Sequence, residues 1–249
     1  MTTAAKTCSM MGRMMDAINK GVHLSGAVLF TYSLYYYYTY VNIPAHLNPL
    51  DEAFGGKFKY LTFCNMVIQT VFYLYAVFVD HIAVRTCSAV TSKSLERSKH
   101  NFFTIFAFPL SMFITVSFWP MWFADKSLVM PLHYDVYFPT WLNHVSHTHI
   151  FIFAILEMIT TYREYPSRIT GLSYFVAFKL CYLIWINCVF YKSGMWVYPI
   201  LAKLNLPLRV IFFTATFLYA PFTYLVGEYF NNTYWGVGSS NKSKTSKKE

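Results

Sequence analysis

The sequence predicts an all-α polytopic membrane protein, six transmembrane helices in one bundle with both termini cytoplasmic. Three observations predict it. The 249 residues are 56% hydrophobic and 20% aromatic but only 12% charged, where soluble domains carry roughly 25% charged residues. The charges cluster and leave six apolar runs, each of about 20 residues, which is the length needed to cross a hydrocarbon slab of about 30 Å. Lys and Arg are divided unevenly among the connecting segments: 13 fall in the N-terminus, second loop, fourth loop and tail, and 6 in the first, third and fifth loops. By the positive-inside rule the first group faces the cytoplasm. The formal charge of +9 then sets orientation and meets anionic headgroups. Nucleic acid is excluded as a partner, because the basic residues form no continuous face.

Taken in order, residues 1–20 form a polar, basic cytoplasmic segment, residues 21–230 the transmembrane domain, and residues 231–249 a basic tail expected to be disordered. The first span, Gly21–Tyr40, ends in four consecutive tyrosines, Tyr35–Tyr38, which read as an interfacial belt. Its apolar run is too long for a cleaved signal peptide. Val41–Lys57 holds Pro44, Pro49 and the pair Gly55-Gly56, all loop chemistry. Phe58–Val79 is the second span, and Arg85–His100 a polar loop. Asn101–Ala124 is the third span, with Pro109 and Pro120 expected to bend it. Trp141–Thr161 is the fourth span, followed by a turn around Pro166. Ile169–Tyr191 is the fifth, interrupted by Lys179, and Leu208–Phe230 the sixth. In this orientation the sequons at Asn231 and Asn241 lie in the cytosol. Cys8, Cys64, Cys87, Cys181 and Cys188 make no C-x-x-C pair and are expected as free thiols.

The fourth span is the unusual one. Its first turns carry Asn143, His144, His147 and His149, and ionisable groups in hydrocarbon are by default a functional hypothesis. At 100° per residue His144 and His147 lie on one face, with Asn143 one turn before His147. The second and fourth spans enter from the same interface. Thr62 lies four residues past Phe58 and His147 six past Trp141, depths of about 6 and 9 Å at 1.5 Å per residue. A hydroxyl and an imidazole at matched depth have the makings of a nucleophile and its base, since a neutral threonine hydroxyl needs a partner to take its proton. The bland alternative is a threonine bonded to its own i−4 carbonyl. A metal site is not expected, because the spread of the three histidines lets at most two share a face. Lys179, in the middle of the fifth span, is expected to pair with Glu157 as a structural ion pair, and Asp80 and Glu228 to be solvated at cytoplasmic ends.

The motifs Gly55-Gly56-Lys57-Phe58-Lys59-Tyr60-Leu61-Thr62-Phe63, Trp141-Leu142-Asn143-His144-x-x-His147-Thr148, Tyr165-Pro166-Ser167-Arg168 and Gly194-Met195-Trp196-Val197-Tyr198-Pro199 stand in collinear order. With Glu157-Met158, Arg209 and Gly227-Glu228 they resemble the androgen-induced and androgen-dependent multipass membrane protein family over about residues 55–235. That family consists of membrane threonine hydrolases of fatty acid esters of hydroxy fatty acids. The resemblance implies that Thr62 is the nucleophile and His147 its partner, with no cofactor and with a lipid ester drawn from the bilayer as substrate. Asn65 stands where some relatives carry Asp, and an asparagine can hydrogen-bond but not act as a base. Donors for the developing oxyanion are open among Asn65, Asn143, His144 and Tyr60. The expected location is an integral membrane site in the endoplasmic reticulum or plasma membrane. The rival reading is a non-catalytic lipid-binding, transport or regulatory membrane protein.

Overall fold

A computed structural model describes residues 3–130 and 132–236. Most of the tail, including the sequon at Asn241, lies outside the described residues. Within them the chain is helical, with no strand. Six long helices dominate: α1 (Thr3–Tyr40), α2 (Leu61–Ala83), α3 (Ala89–Ala124), α4 (residues 140–160), α5 (Arg168–Ser193) and α6 (Leu206–Tyr234). Four of them, α2, α3, α5 and α6, are long and apolar enough to cross a membrane. Of the six expected spans, α1 and α4 are long but less apolar, because tyrosines fill the end of α1 and Asn143 with three histidines fills the start of α4.

The helices differ from the expected spans mostly by being longer. The polar N-terminal segment is not separate but continues α1 back to Thr3, and it contains no proline to stop the helix. The second loop is likewise helical. Ser88 caps it, its Oγ accepting the Thr91 N–H at 3.2 Å, and this amphipathic helix runs straight into the third span. There the turn Phe103–Ala107 widens into a π turn directly before Pro109. Pro109 has no N–H and its ring would clash with the carbonyl four residues back, so the wider turn absorbs the mismatch. α5 starts at a Ser167 cap and stops at Gly194, whose φ of 70° is the left-handed conformation that ends helices. α6 starts at an Asn205 cap and runs four residues past the expected end of the sixth span.

The first loop is fixed by two lysines. Lys57 Nζ donates to the carbonyls of Tyr37 at 2.7 Å, Tyr38 at 3.1 Å and Val41, at the C-terminal end of α1. Lys59, fully buried, donates to Leu50, Asp51 and Ala53 around the short helix Pro49–Glu52. Cations suit the carbonyl end of a helix dipole, although burial pulls both amines below their ordinary pKa. The main core is built from α1–α6 around Phe30, Phe72, Tyr73, Phe103, Phe108 and Tyr224. α1 and α2 approach closely at Gly26, where an added Cβ would sit 2.6 Å from the Tyr73 ring.

At the end of the bundle remote from Thr62 the structure corrects three expectations. Glu157 does not pair with Lys179. It accepts from buried Arg163 in the turn after α4 and faces His23 Nε2 at 2.7 Å. Asp80 is not solvated: it meets His23 Nδ1 at 2.5 Å and Lys99 Nζ at 2.7 Å. Glu228 accepts from Arg168 Nε at 2.8 Å. Burial lowers the Arg163 guanidinium to about 10, which leaves it charged at neutral pH. Thr62 and Asp80 are 18 residues apart on α2, about 27 Å of rise. That is close to the thickness of a bilayer's hydrocarbon. The two polar layers are therefore spaced as the two boundaries of a bilayer's hydrocarbon are.

Candidate active site

Thr62 is the second residue of α2, and the start of that helix is held by hydroxyls rather than by a side-chain cap. The Leu61 N–H, one of the donors orphaned at any helix start, donates to Tyr198 Oη at 3.0 Å. Tyr198 in turn lies 2.6 Å from Tyr182 Oη, which donates to the Lys59 carbonyl at 2.9 Å. Burial pushes Tyr198 up to about 12, so it acts as a neutral hydroxyl. Tyr198 thus fixes the turn that carries Thr62.

His147 comes from α4, in a π turn spanning Val145–His149. π turns recur at functional sites. Here the turn has a visible geometric effect, because fewer degrees per residue swing His144 and His147 apart. His147 is buried at 6% exposure, whereas His144 is exposed and stacks on Trp119 at 5.4 Å. The His147 carbonyl accepts the Thr115 hydroxyl at 2.7 Å, and the imidazole lies flat on Phe118, with ring centroids 3.5 Å apart.

The hydrogen bonds of the ring decide its tautomer. His147 Nδ1 lies 3.0 Å from the Asn143 carbonyl. A carbonyl only accepts, so Nδ1 carries the hydrogen and in the neutral ring Nε2 keeps its lone pair. Nε2 lies 3.3 Å from Thr62 Oγ1 and is therefore set to accept that hydroxyl's proton. The Asn143 backbone, not its side chain, orients the ring.

Thr62 and His147 open onto a cavity of about 700 Å³, within the usual range for small-molecule sites. Asn143, Tyr60, Tyr182 and Tyr198 also line it, with Phe113, Met121, Leu183 and Phe213 among its apolar walls. The Asn143 side chain is buried, and its Oδ1 has no hydrogen-bond partner among the described residues. Asn65 is not part of the lining. It is buried against Gln69, whose Nε2 donates to Asn65 Oδ1 at 3.0 Å and to Ser111 Oγ at 2.9 Å. His144 does not line the cavity either. Of the oxyanion candidates, only Asn143 and Tyr60 face it. Lys179 does line it, although its depth in the fifth span argued for a place away from the site. Phe118 and Tyr182 were not singled out from the sequence. Tyr182 sits one turn past Lys179, and that spacing on one helix face was the available signal. Cys64, Cys87, Cys181 and Cys188 are free thiols.

Residues 19–232 match the family described as FAR-17a/AIG1-like protein. The human androgen-induced gene 1 protein is 34% identical over 228 residues, which cover 89% of this chain and 94% of the relative. The human androgen-dependent TFPI-regulating protein is 34% identical over 209 residues, 84% of this chain and 90% of that one. Its rat counterpart is 39% identical over 184 residues, 74% and 79% of the two chains. No solved structure matches the chain. With four helices suited to crossing a membrane and relatives that cover most of its length, the chain is an integral multi-pass membrane protein and belongs to the FAR-17a/AIG1-like protein family.

Proposed function

We propose that the protein is a membrane-embedded hydrolase that cleaves the ester bond of lipid esters, with Thr62 as nucleophile and His147 as general base. Fatty acid esters of hydroxy fatty acids are the substrate class that the sequence resemblance implies. The observation that carries the reading is the oriented pair: a hydroxyl 3.3 Å from an imidazole nitrogen whose other nitrogen is committed to a backbone carbonyl. That commitment leaves Nε2 with a lone pair facing the hydroxyl, which is what a general base needs.

The reaction follows from the geometry. As Thr62 Oγ1 attacks the ester carbonyl, His147 Nε2 takes its proton, leaving a tetrahedral oxyanion and an imidazolium. Asn143 and Tyr60 are the donors available to that oxyanion. When the oxyanion collapses, the C–O bond to the alcohol breaks, and the departing oxygen takes the proton from His147. A water then attacks the acyl-threonine, giving its proton to His147. The Thr62 oxygen leaves and is reprotonated by the same ring. The fatty acid is released and the pair is restored.

The apolar walls of the cavity suit acyl chains, and a mouth near the headgroup layer admits the water that the second half-reaction consumes. In the orientation given by the positive-inside rule this is the outer leaflet. The test is active-site labelling. A fluorophosphonate probe is expected to label the purified protein at Thr62, with labelling lost in Thr62→Ala and kept in Thr62→Ser. Equal labelling of Thr62→Ala and wild type sinks the assignment and leaves the lipid-carrier reading.

A further inference from the structure

Lys179 is the one cation among the described residues that line the cavity, and it enters from α5, which supplies neither Thr62 nor His147. It is 7% exposed, and its Nζ lies 3.4 Å from the centroid of the Phe113 ring. No carboxylate or hydrogen-bond acceptor among the described residues meets it. Each of the other buried Lys and Arg side chains has an acceptor: Lys59 has three carbonyls, Lys99 has Asp80 and Arg163 has Glu157. Asp51, the one carboxylate among the described residues of the cavity wall, accepts the Ile43 N–H at 3.1 Å within the first loop. An ammonium in apolar surroundings without an anion is costly, and a ring face compensates only part of that cost. The cavity therefore holds an amine whose charged form has no anion among the described residues.

We propose that Lys179 receives a carboxylate of the substrate itself, so that the site selects ester lipids that carry a free acid on the same molecule. The spacing follows from α3. Lys179 rests on Phe113 and His147 on Phe118, five residues apart, an axial rise of about 7.5 Å. The acid group thus lies several carbons from the ester bond, deeper in the bilayer than the reacting atoms. An ester of a hydroxylated fatty acid has this shape. Triacylglycerols and sterol esters, being neutral, leave Lys179 unpaired. The inference rests on the hydrolase reading and adds Lys179 as a binding residue that sets specificity.

The experiment compares two substrates in detergent-solubilised full-length protein. One is an acyl ester of a hydroxy fatty acid, the other the same ester with the acid converted to a primary amide. Release of the acyl fatty acid is measured for both. Wild type is expected to favour the acid roughly 10- to 100-fold in kcat/KM, the worth of one charge-assisted hydrogen bond, with most of the difference in KM. Lys179→Met is expected to bring the ratio near one, and Lys179→Arg to restore it. Equal kcat/KM for acid and amide in wild type overturns the inference, as does an acid preference that survives in Lys179→Met. Binding of a long-chain fatty acid against its amide carries the same contrast without turnover. A protein that cleaves neither ester refutes the hydrolase reading. The binding ratio of wild type to Lys179→Met then still decides whether Lys179 recognises a carboxylate.

Discussion

If Thr62 and His147 work as one proton-transfer unit, their losses must not add. Either Thr62→Ala or His147→Ala removes the transfer seen poised at 3.3 Å. Each is expected to lower kcat by about 10²- to 10⁴-fold, or about 2.7–5.5 kcal/mol of transition-state stabilisation. Once one partner is gone the other has nothing to exchange a proton with, so the double variant should fall in the same range as the singles. Two independent contributions would instead multiply to about 10⁴- to 10⁸-fold. The gap between the two outcomes is at least two orders of magnitude, larger than common errors in assays of membrane enzymes. The measurement is kcat for an ester of a hydroxy fatty acid with each of the four proteins, at matched folded fraction. Phe118→Leu gives an independent check, because it removes the aromatic stack on the imidazole. A stack of this kind is worth about 0.5–1.5 kcal/mol, which predicts a fall in kcat of about 2- to 13-fold. Multiplying losses in the double variant would refute the coupled pair.

Other expectations follow from the same geometry. Asn143→Ala removes a carboxamide that lines the cavity but keeps the carbonyl that orients His147, so kcat should fall about 100-fold as for one oxyanion donor, with KM nearly constant. Asn65→Ala, buried against Gln69 and Ser111, should lower the unfolding temperature and change the kcat of the folded fraction less than threefold. Arg163→Met strips the guanidinium from Glu157 and should destabilise the protein by about 3–5 kcal/mol, read as loss of resistance to thermal unfolding. Gly26→Val forces a side chain into the Tyr73 ring and should cost about 1–3 kcal/mol, with a matching fall in the same assay.

Much of this architecture was legible in the sequence, and the gaps have physical causes. Apolar runs between clustered charges marked the helices, and equal depth in the second and fourth spans made Thr62 and His147 candidates, which the family resemblance then paired. The π turn at Val145–His149 was not legible, because no residue type signals it. It is the turn that separates His144 from His147. The N-terminal and second-loop helices were missed because their polar faces carry no membrane-like periodicity. The pairing of Lys179 with Glu157 failed for a different reason: depth along two helices does not say which faces meet. Glu157 turned toward α1 and the turn after α4, and Lys179 turned toward the cavity. His23 carries no signal in the local pattern, although its two nitrogens join α2 and α4 through Asp80 and Glu157. Such a link between helices distant in the chain leaves no trace in local pattern.

α1 contributes nothing to the reacting atoms, yet it touches both helices that do. Near one end of the bundle His23 bridges the carboxylates of α2 and α4. Near the other, Tyr37 packs edge-on against Phe63 beside Thr62 and against Phe138 just ahead of α4. The helix works as a clamp with jaws at both ends, holding the separation between hydroxyl and imidazole. A shortened chain lacking α1 would keep the whole site motif and lose the two contacts that align its halves.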